Sequence, residues 1–249
     1  MSGHSKWATI KRKKEKTDAA RGRAFTRLIK EITIAARHGG GDENSNPRLR
    51  TAVLAAKAAN MPTANIERAV KRGTGELPGV NYEEITYEGY GPGGVAVYMD
   101  VLTDNKNRTV AEIRHLLSKY NGALGESGSV AWMFSKKGVI LIPAKNTTED
   151  DLMMTTLDAG ADDIAAEEEY FRVTTEVGKL EAVKKALDAA KIAYESAEIT
   201  MEPANQVKVE GKAAESVIKL MDALEEHEDI QNVYANFDID EKTLEEMED

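Results

Sequence analysis

Apolar residues recur at three- and four-residue spacing in three stretches near the start of the chain. Phe25, Leu28, Ile29, Ile32 and Ala36 share one face of a helix that begins at Asp18 and ends at His38, before Gly39, Gly40 and Gly41. Asn46, followed by Pro47, predicts the cap of a second helix burying Leu49, Ala52, Val53 and Ala56. A third helix is predicted from Thr63 to Arg72, with Ile66, Ala69 and Val70 inward and Gly73 as its stop. After a linker at 74–80 the pattern shortens to strands. These are predicted at 82–90 and 95–102, joined by Gly91, Pro92, Gly93 and Gly94 in a hairpin. A helix with Val110, Ile113 and Leu117 inward follows, with Thr109 and Glu112 at capping-box spacing. A glycine-rich loop at 122–128 then leads into a strand at 129–134.

Residues 138–201 have a cleaner rhythm: strand 139–142, helix 149–158, strands 163–168 and 170–175, helix 179–190 and strand 195–201. That βαββαβ order is the split motif of ferredoxin-like sandwiches. A strand at 206–209, a helix at 213–226 and a strand at 230–237 follow, before a polar acidic tail. The predicted fold class is therefore α+β and multidomain, an N-terminal helical domain followed by two ferredoxin-like α/β-sandwich domains, one inserted in the other. The boundaries read as a basic arm over 1–17, a helical nucleic-acid-binding domain over 18–75, a discontinuous α+β domain over 80–136 plus 203–240, and an inserted domain over 137–202.

Composition narrows the chemistry. The 249 residues include no cysteine and four scattered histidines, so thiol nucleophiles, disulfides and cysteine metal sites are excluded and little remains for a metal. Neither a membrane-length apolar run nor a signal-peptide core is present, which predicts a cytoplasmic protein without membrane contact. The net charge of −10 conceals a division. Residues 1–73 hold 17 Lys and Arg against 6 Asp and Glu, an excess of 11, and the rest of the chain carries −21. Such asymmetry points to a basic part that meets a polyanion and an acidic body that does not.

The candidate nucleic-acid-binding residues are Lys6, Trp7, Lys11, Arg12, Lys13, Lys14 and Lys16 in the arm, with Arg23, Arg27 and Lys30 forming a ridge opposite the apolar stripe of the first helix. Trp7 could stack on a base or staple the arm to the helical domain. Arg48 and Arg50 sit in the first turn of the second helix, where cations oppose the helix dipole and a docked anion would account for them. Arg68, Lys71 and Arg72 face outward from the third. The alternative reading is a solvated helical domain held against its own acidic neighbour. Gly89 to Gly94 leads from strand to strand, so it lacks the strand-to-helix context of a phosphate loop. Residues 137–200, with 7 basic and 14 acidic side chains, do not suit RNA but could meet a protein partner. No constellation supports catalysis and no cofactor is expected.

Several stretches carry a family resemblance: Gly3-His4-Ser5-Lys6-Trp7, Asn46-Pro47-Arg48-Leu49-Arg50, Asn60-Met61-Pro62 with Asn65-Ile66-Glu67-Arg68-Ala69, Tyr87 to Gly94, Asp104 to Thr109, and Gly128-Ser129-Val130. Together, over essentially the whole chain, they resemble the YebC/PmpR family. The resemblance implies three domains, the last inserted in the middle one, and a non-enzymatic DNA-binding transcriptional regulator. It also implies the alternative of a ribosome- or RNA-associated translation factor, because the mitochondrial relative is a translational activator of cytochrome c oxidase and bacterial relatives are linked to relief of ribosome stalling. With the first motif at Gly3, it looks like a bacterial form.

Overall fold

The computed structural model describes residues 18–167 and 169–239. In chain order the elements begin with helices α1 (Asp18–Gly39), α2 (Pro47–Ala58) and α3 (Thr63–Gly73). Next come β1 (Glu83–Tyr90), β2 (Ala96–Thr103), α4 (Lys106–Lys119) and β3 (Ala123–Leu124). The third group is β4 (Phe134–Pro143), α5 (Glu149–Thr156), β5 (Ala161–Ala166), β6 (Tyr170–Thr175), α6 (Leu180–Ala189) and β7 (Ser196–Pro203). The chain closes with β8 (Val207–Lys208), α7 (Gly211–Glu226), β9 (Ile230–Ala235) and β10 (Phe237–Asp238). Two compact units result, one over Trp132–Gln206 and the other from the flanking segments.

In the flanking unit, the three helices bury Ile32, Ala36, Leu49, Val53, Ala56, Ile66 and Ala69 among themselves. Asn46 does more than cap α2. Its Oδ1 accepts from the Leu49 N–H at 3.1 Å, and its Nδ2 donates to the carbonyls of Ala35 and Gly40 at 2.8 and 2.9 Å. One side chain thereby satisfies the start of α2 and ties it to the end of α1. Gly73 is helical rather than a stop: it ends α3 where that helix crosses α1, and a Cβ there would lie 2.4 Å from the Thr33 carbonyl oxygen. Gly73→Ala should therefore lower stability by about 1 to 3 kcal/mol through overpacking. Urea unfolding checks this, with Gly40→Ala as the contrasting strain at positive φ where no atom is near.

The same unit contains a four-stranded antiparallel sheet in the order β3-β1-β2-β9, with α4 and α7 packed through Ile113, Leu117, Val217, Leu220 and Leu224 against Val97, Met99 and Val233. β8 and β10 form a separate two-stranded parallel sheet. The inserted unit has the sheet order β5-β6-β4-β7, all antiparallel, over a core of Ile140, Ile142, Leu152, Val173, Val183 and Leu187. Both sheets have the strand order of a ferredoxin-like sandwich. In the flanking unit β1 precedes the strand that would open the motif, so the same arrangement is reached from a different chain order.

Three local expectations are corrected. Asn105, not Thr109, caps α4 by accepting from the Arg108 N–H, and Thr109 lies inside the helix and is buried. The strand expected at 129–134 is absent. Residues Ala131–Met133 form a 3₁₀ turn, and Phe134 opens the long strand β4. The reason is Glu88, whose buried carboxylate accepts from the N–H groups of Gly128, Val130 and Ala131 at 2.6, 2.7 and 2.7 Å, so those donors are unavailable to a ladder. The strand expected at 230–237 is divided into β9 and β10 around the buried Asn236, whose side chain accepts from the Ala96 N–H.

Candidate nucleic-acid interface

The arm residues Lys6, Trp7, Lys11, Arg12, Lys13, Lys14 and Lys16 lie outside the described residues, so the geometry concerns the helical domain. There the expected outward ridge on α1 is corrected. Lys30 is only 6% exposed. Its ammonium donates to Asp229 Oδ1 at 2.6 Å and to the Glu228 carbonyl at 2.9 Å, and it lies 5.7 Å from the centre of the Tyr82 ring. Arg27 donates to the Glu225 carbonyl, and Arg23 pairs with Glu226 at 3.6 Å. Arg37 donates to Asn81 Oδ1 and to the Val80 carbonyl. The face opposite the apolar stripe is thus a second packing face, directed at the end of α7 and the entrance to β1.

Asp229 organises this junction. Besides Lys30, its Oδ2 accepts from Thr109 at 2.6 Å, Arg108 at 2.8 Å and Thr103 at 3.1 Å. Burial pushes its carboxyl up, but the bonds from Lys30, Thr109 and Arg108 outweigh this and hold it well below the usual carboxylate range. Asp104 to Thr109 thereby acquires a physical role, as the strand-to-helix turn that builds the socket for Asp229. No motif around Asp229 itself announced it.

Arg48 is also satisfied internally. It forms a bidentate pair with Glu31 at 2.7 and 2.9 Å and reaches Glu84 at 2.5 Å, and the bond to Glu31 is the main cause that raises its already high pKa. The anion expected at this helix start is supplied by the protein's own carboxylates. Arg50 is different: it is exposed and donates only to the carbonyls of Glu43 and Asn44, at 2.9 and 2.7 Å. Arg68, Lys71 and Arg72 are exposed on α3 and enter no ion pair among the described residues. The structure therefore separates the candidates into Arg23, Arg27, Lys30 and Arg48, which are engaged internally, and Arg50, Arg68, Lys71 and Arg72, whose charge faces outward.

Glu112, His227 and Asp229 place ligand-type atoms within 4.8 Å of one another, the spacing of a metal site. His227 Nδ1 accepts from the Asp229 N–H at 3.1 Å, which leaves the ring proton on Nε2, facing Glu112 Oε2 at 3.0 Å. Both ring nitrogens of His227 are engaged in hydrogen bonds, and Lys30 and Arg108 already neutralise Asp229. The donor set fits a hydrogen-bond relay rather than a cation. A groove of about 740 Å³ beside it is rimmed by Glu112, Glu226 and Glu228, a charge that repels phosphate.

The architecture is a cationic helical domain followed by two α/β sandwiches, and no described helix is long and apolar enough to cross a membrane. Residues 5–76 match the model of the TACO1/YebC protein N-terminal domain, and residues 82–237 match that of the TACO1/YebC second and third domain. The chain belongs to the TACO1/YebC family. It is 57% identical over 248 residues to a probable transcriptional regulatory protein of Desulfotalea psychrophila, covering 99% of both chains. It is 58% identical over 247 residues to another so named in Geobacter sulfurreducens, covering 99% of this chain and 100% of that one. The crystal structure of a conserved hypothetical protein from Aquifex aeolicus aligns with a TM-score of 0.78 at 48% identity, covering 90% of this chain and 93% of that one.

Proposed function

We propose that the chain is a regulator of gene expression that acts by binding DNA, through the basic arm and the outward charges of the helical domain. The observation that carries this reading is that Arg68, Lys71 and Arg72 on α3, and Arg50 at the start of α2, are exposed and enter no ion pair among the described residues. Guanidinium and ammonium groups on a rigid helical layer position a phosphate backbone without reading its bases. The arm residues Lys6, Trp7, Lys11, Arg12, Lys13, Lys14 and Lys16, which precede the described residues, are assigned to the same function on their charge and on Trp7 as a stacking group. Lys30 and Arg48 are left out of it, because their charge is already matched. The relatives' shared name supports the transcriptional role.

The acidic sandwiches are proposed to serve protein contact. In the inserted unit Met153 and Met154 on α5 and Leu157 just after it are exposed, with Glu149, Asp150 and Asp158 also exposed in the same segment, a surface suited to an apolar segment flanked by basic residues.

The triple variant Arg68→Ala/Lys71→Ala/Arg72→Ala tests the interface. It should weaken binding to a mixed-sequence duplex at every sequence alike and reduce the slope of log K against log salt by about 2 to 3, near 0.9 per lost phosphate contact. Unchanged affinity and slope would remove α3 from the interface. Tighter binding to structured RNA than to duplex DNA, with co-sedimentation on ribosomes, would replace the DNA reading by the translation-factor one.

A further inference from the structure

The end of α7 is chemically unusual. Its last turn and the residues just beyond it read Glu225-Glu226-His227-Glu228-Asp229, and the last turn contains no basic residue. Carboxylates at a helix C-terminus oppose the negative end of the dipole, so this run does not serve the helix that carries it. What compensates it comes from α1: Arg23 reaches the Glu226 carboxylate, Arg27 the Glu225 carbonyl, and Lys30 the Glu228 carbonyl and the Asp229 carboxylate. Three cations spaced along one helix face thus meet a concentrated set of anionic and carbonyl oxygens, the pattern in which a helix would meet consecutive phosphates.

The contacts are graded in strength. Lys30 and Asp229 are deeply buried, with side-chain exposures of 8% and 4%, and Asp229 has three further donors. Arg23 and Glu226 are 3.6 Å apart with side-chain exposures of 34% and 64%, a screened pair that contributes little. The junction is therefore fixed at Lys30 and exchangeable toward the start of α1.

We propose that the acidic end of α7 is an internal stand-in for nucleic-acid phosphate, which holds Arg23 and Arg27 until a polyanion displaces it. This rests on the nucleic-acid reading above and adds regulation to it. Polymers that offer few phosphates would fail to displace the helix end, so weak non-specific binding is suppressed. A closely docked strand would recruit Arg23 and Arg27 while Lys30 and Asp229 stay closed as the pivot.

The test compares the full chain with Glu225→Gln/Glu226→Gln and with a charge-matched control, Glu210→Gln/Glu215→Gln, over a salt titration against a mixed-sequence duplex and an RNA hairpin. The control carboxylates pair with Lys208 and Lys219 near the other end of α7, so it also releases two lysines, but away from α1. The first variant should bind about fivefold tighter at low salt, and its log–log slope should steepen by about 1 as Arg23, freed from the Glu226 carboxylate, gains a phosphate contact, while Arg27 stays on the Glu225 main-chain carbonyl. The control should change neither. If the two variants behave alike, or the slope of the first equals that of the unaltered chain, the stand-in is overturned and the interface remains. If no form binds either probe, the nucleic-acid reading fails and the stand-in fails with it. Glu226→Gln alone, at an exposed position, provides the same comparison with the same slope change should the double variant not fold, because it removes the carboxylate that holds Arg23.

Discussion

Asp229→Asn lowers the free energy of unfolding by about 3 to 5 kcal/mol at neutral pH, because it leaves the Lys30 ammonium buried without its counter-charge. Urea denaturation measures the loss. The double variant Lys30→Met/Asp229→Asn should recover a substantial part of it, because the stranded charge is gone and the Met stem fills much of the same volume. Strict additivity of the two single changes would mean that Lys30 and Asp229 are not coupled. The pH dependence follows from the direction of the Asp229 shift. Its folded carboxyl is more acidic than in the unfolded chain, so the unfolded state takes up the proton first. The contribution is fully present above about pH 4, the ordinary aspartate value, and is lost as the pH falls further. The unaltered chain should therefore lose stability below that point more steeply than Asp229→Asn, which has no carboxyl there to protonate.

Glu88→Gln should lower stability by about 2 to 3 kcal/mol and loosen the segment 125–131 selectively. The carboxylate is buried and accepts three backbone N–H groups, and an amide in its place presents its NH₂ group to at least one of those donors. Burial raises the Glu88 pKa, but the N–H groups of Gly128, Val130 and Ala131 prevail and lower it. Its contribution is accordingly present above the unfolded value near 4.3 and lost as the pH falls through the lower folded value. Amide exchange at Gly128, Val130 and Ala131 is the direct readout. Protection there that is unchanged by the substitution would show that the loop is held by other contacts, such as the Gly125 N–H on the Glu88 carbonyl at 2.8 Å.

Much of the fold was legible residue by residue. The capping role of Asn46 and the buried set Leu49, Ala52, Val53 and Ala56 were read from spacing and found in place. The βαββαβ rhythm of the inserted unit was recovered, with β5 found at Ala161–Ala166 where a strand at 163–168 is expected. Where the reading failed, a distant side chain had intervened. Residues 129–134 have strand-like composition, yet their donors are taken by Glu88, some forty positions earlier. Thr109 has the spacing of a cap, yet it turns inward to Asp229, 120 positions later.

The candidate interface divides along the same line. Helical periodicity correctly placed Arg23, Arg27 and Lys30 opposite the apolar stripe of α1, because that geometry depends only on neighbours within two turns. Whether the opposite face meets water or protein is not a local property. Lys30 meets a carboxylate 199 positions away and is buried, and the exposed Arg48 is divided between Glu31 and Glu84, so the charge of both is matched within the protein. The amino-acid sequence by itself determined most of the helices and strands, the uneven distribution of charge and the family. Only the tertiary structure decided which of the cations stay available, since hydrogen bonding and Coulomb attraction act through space and are indifferent to separation along the chain.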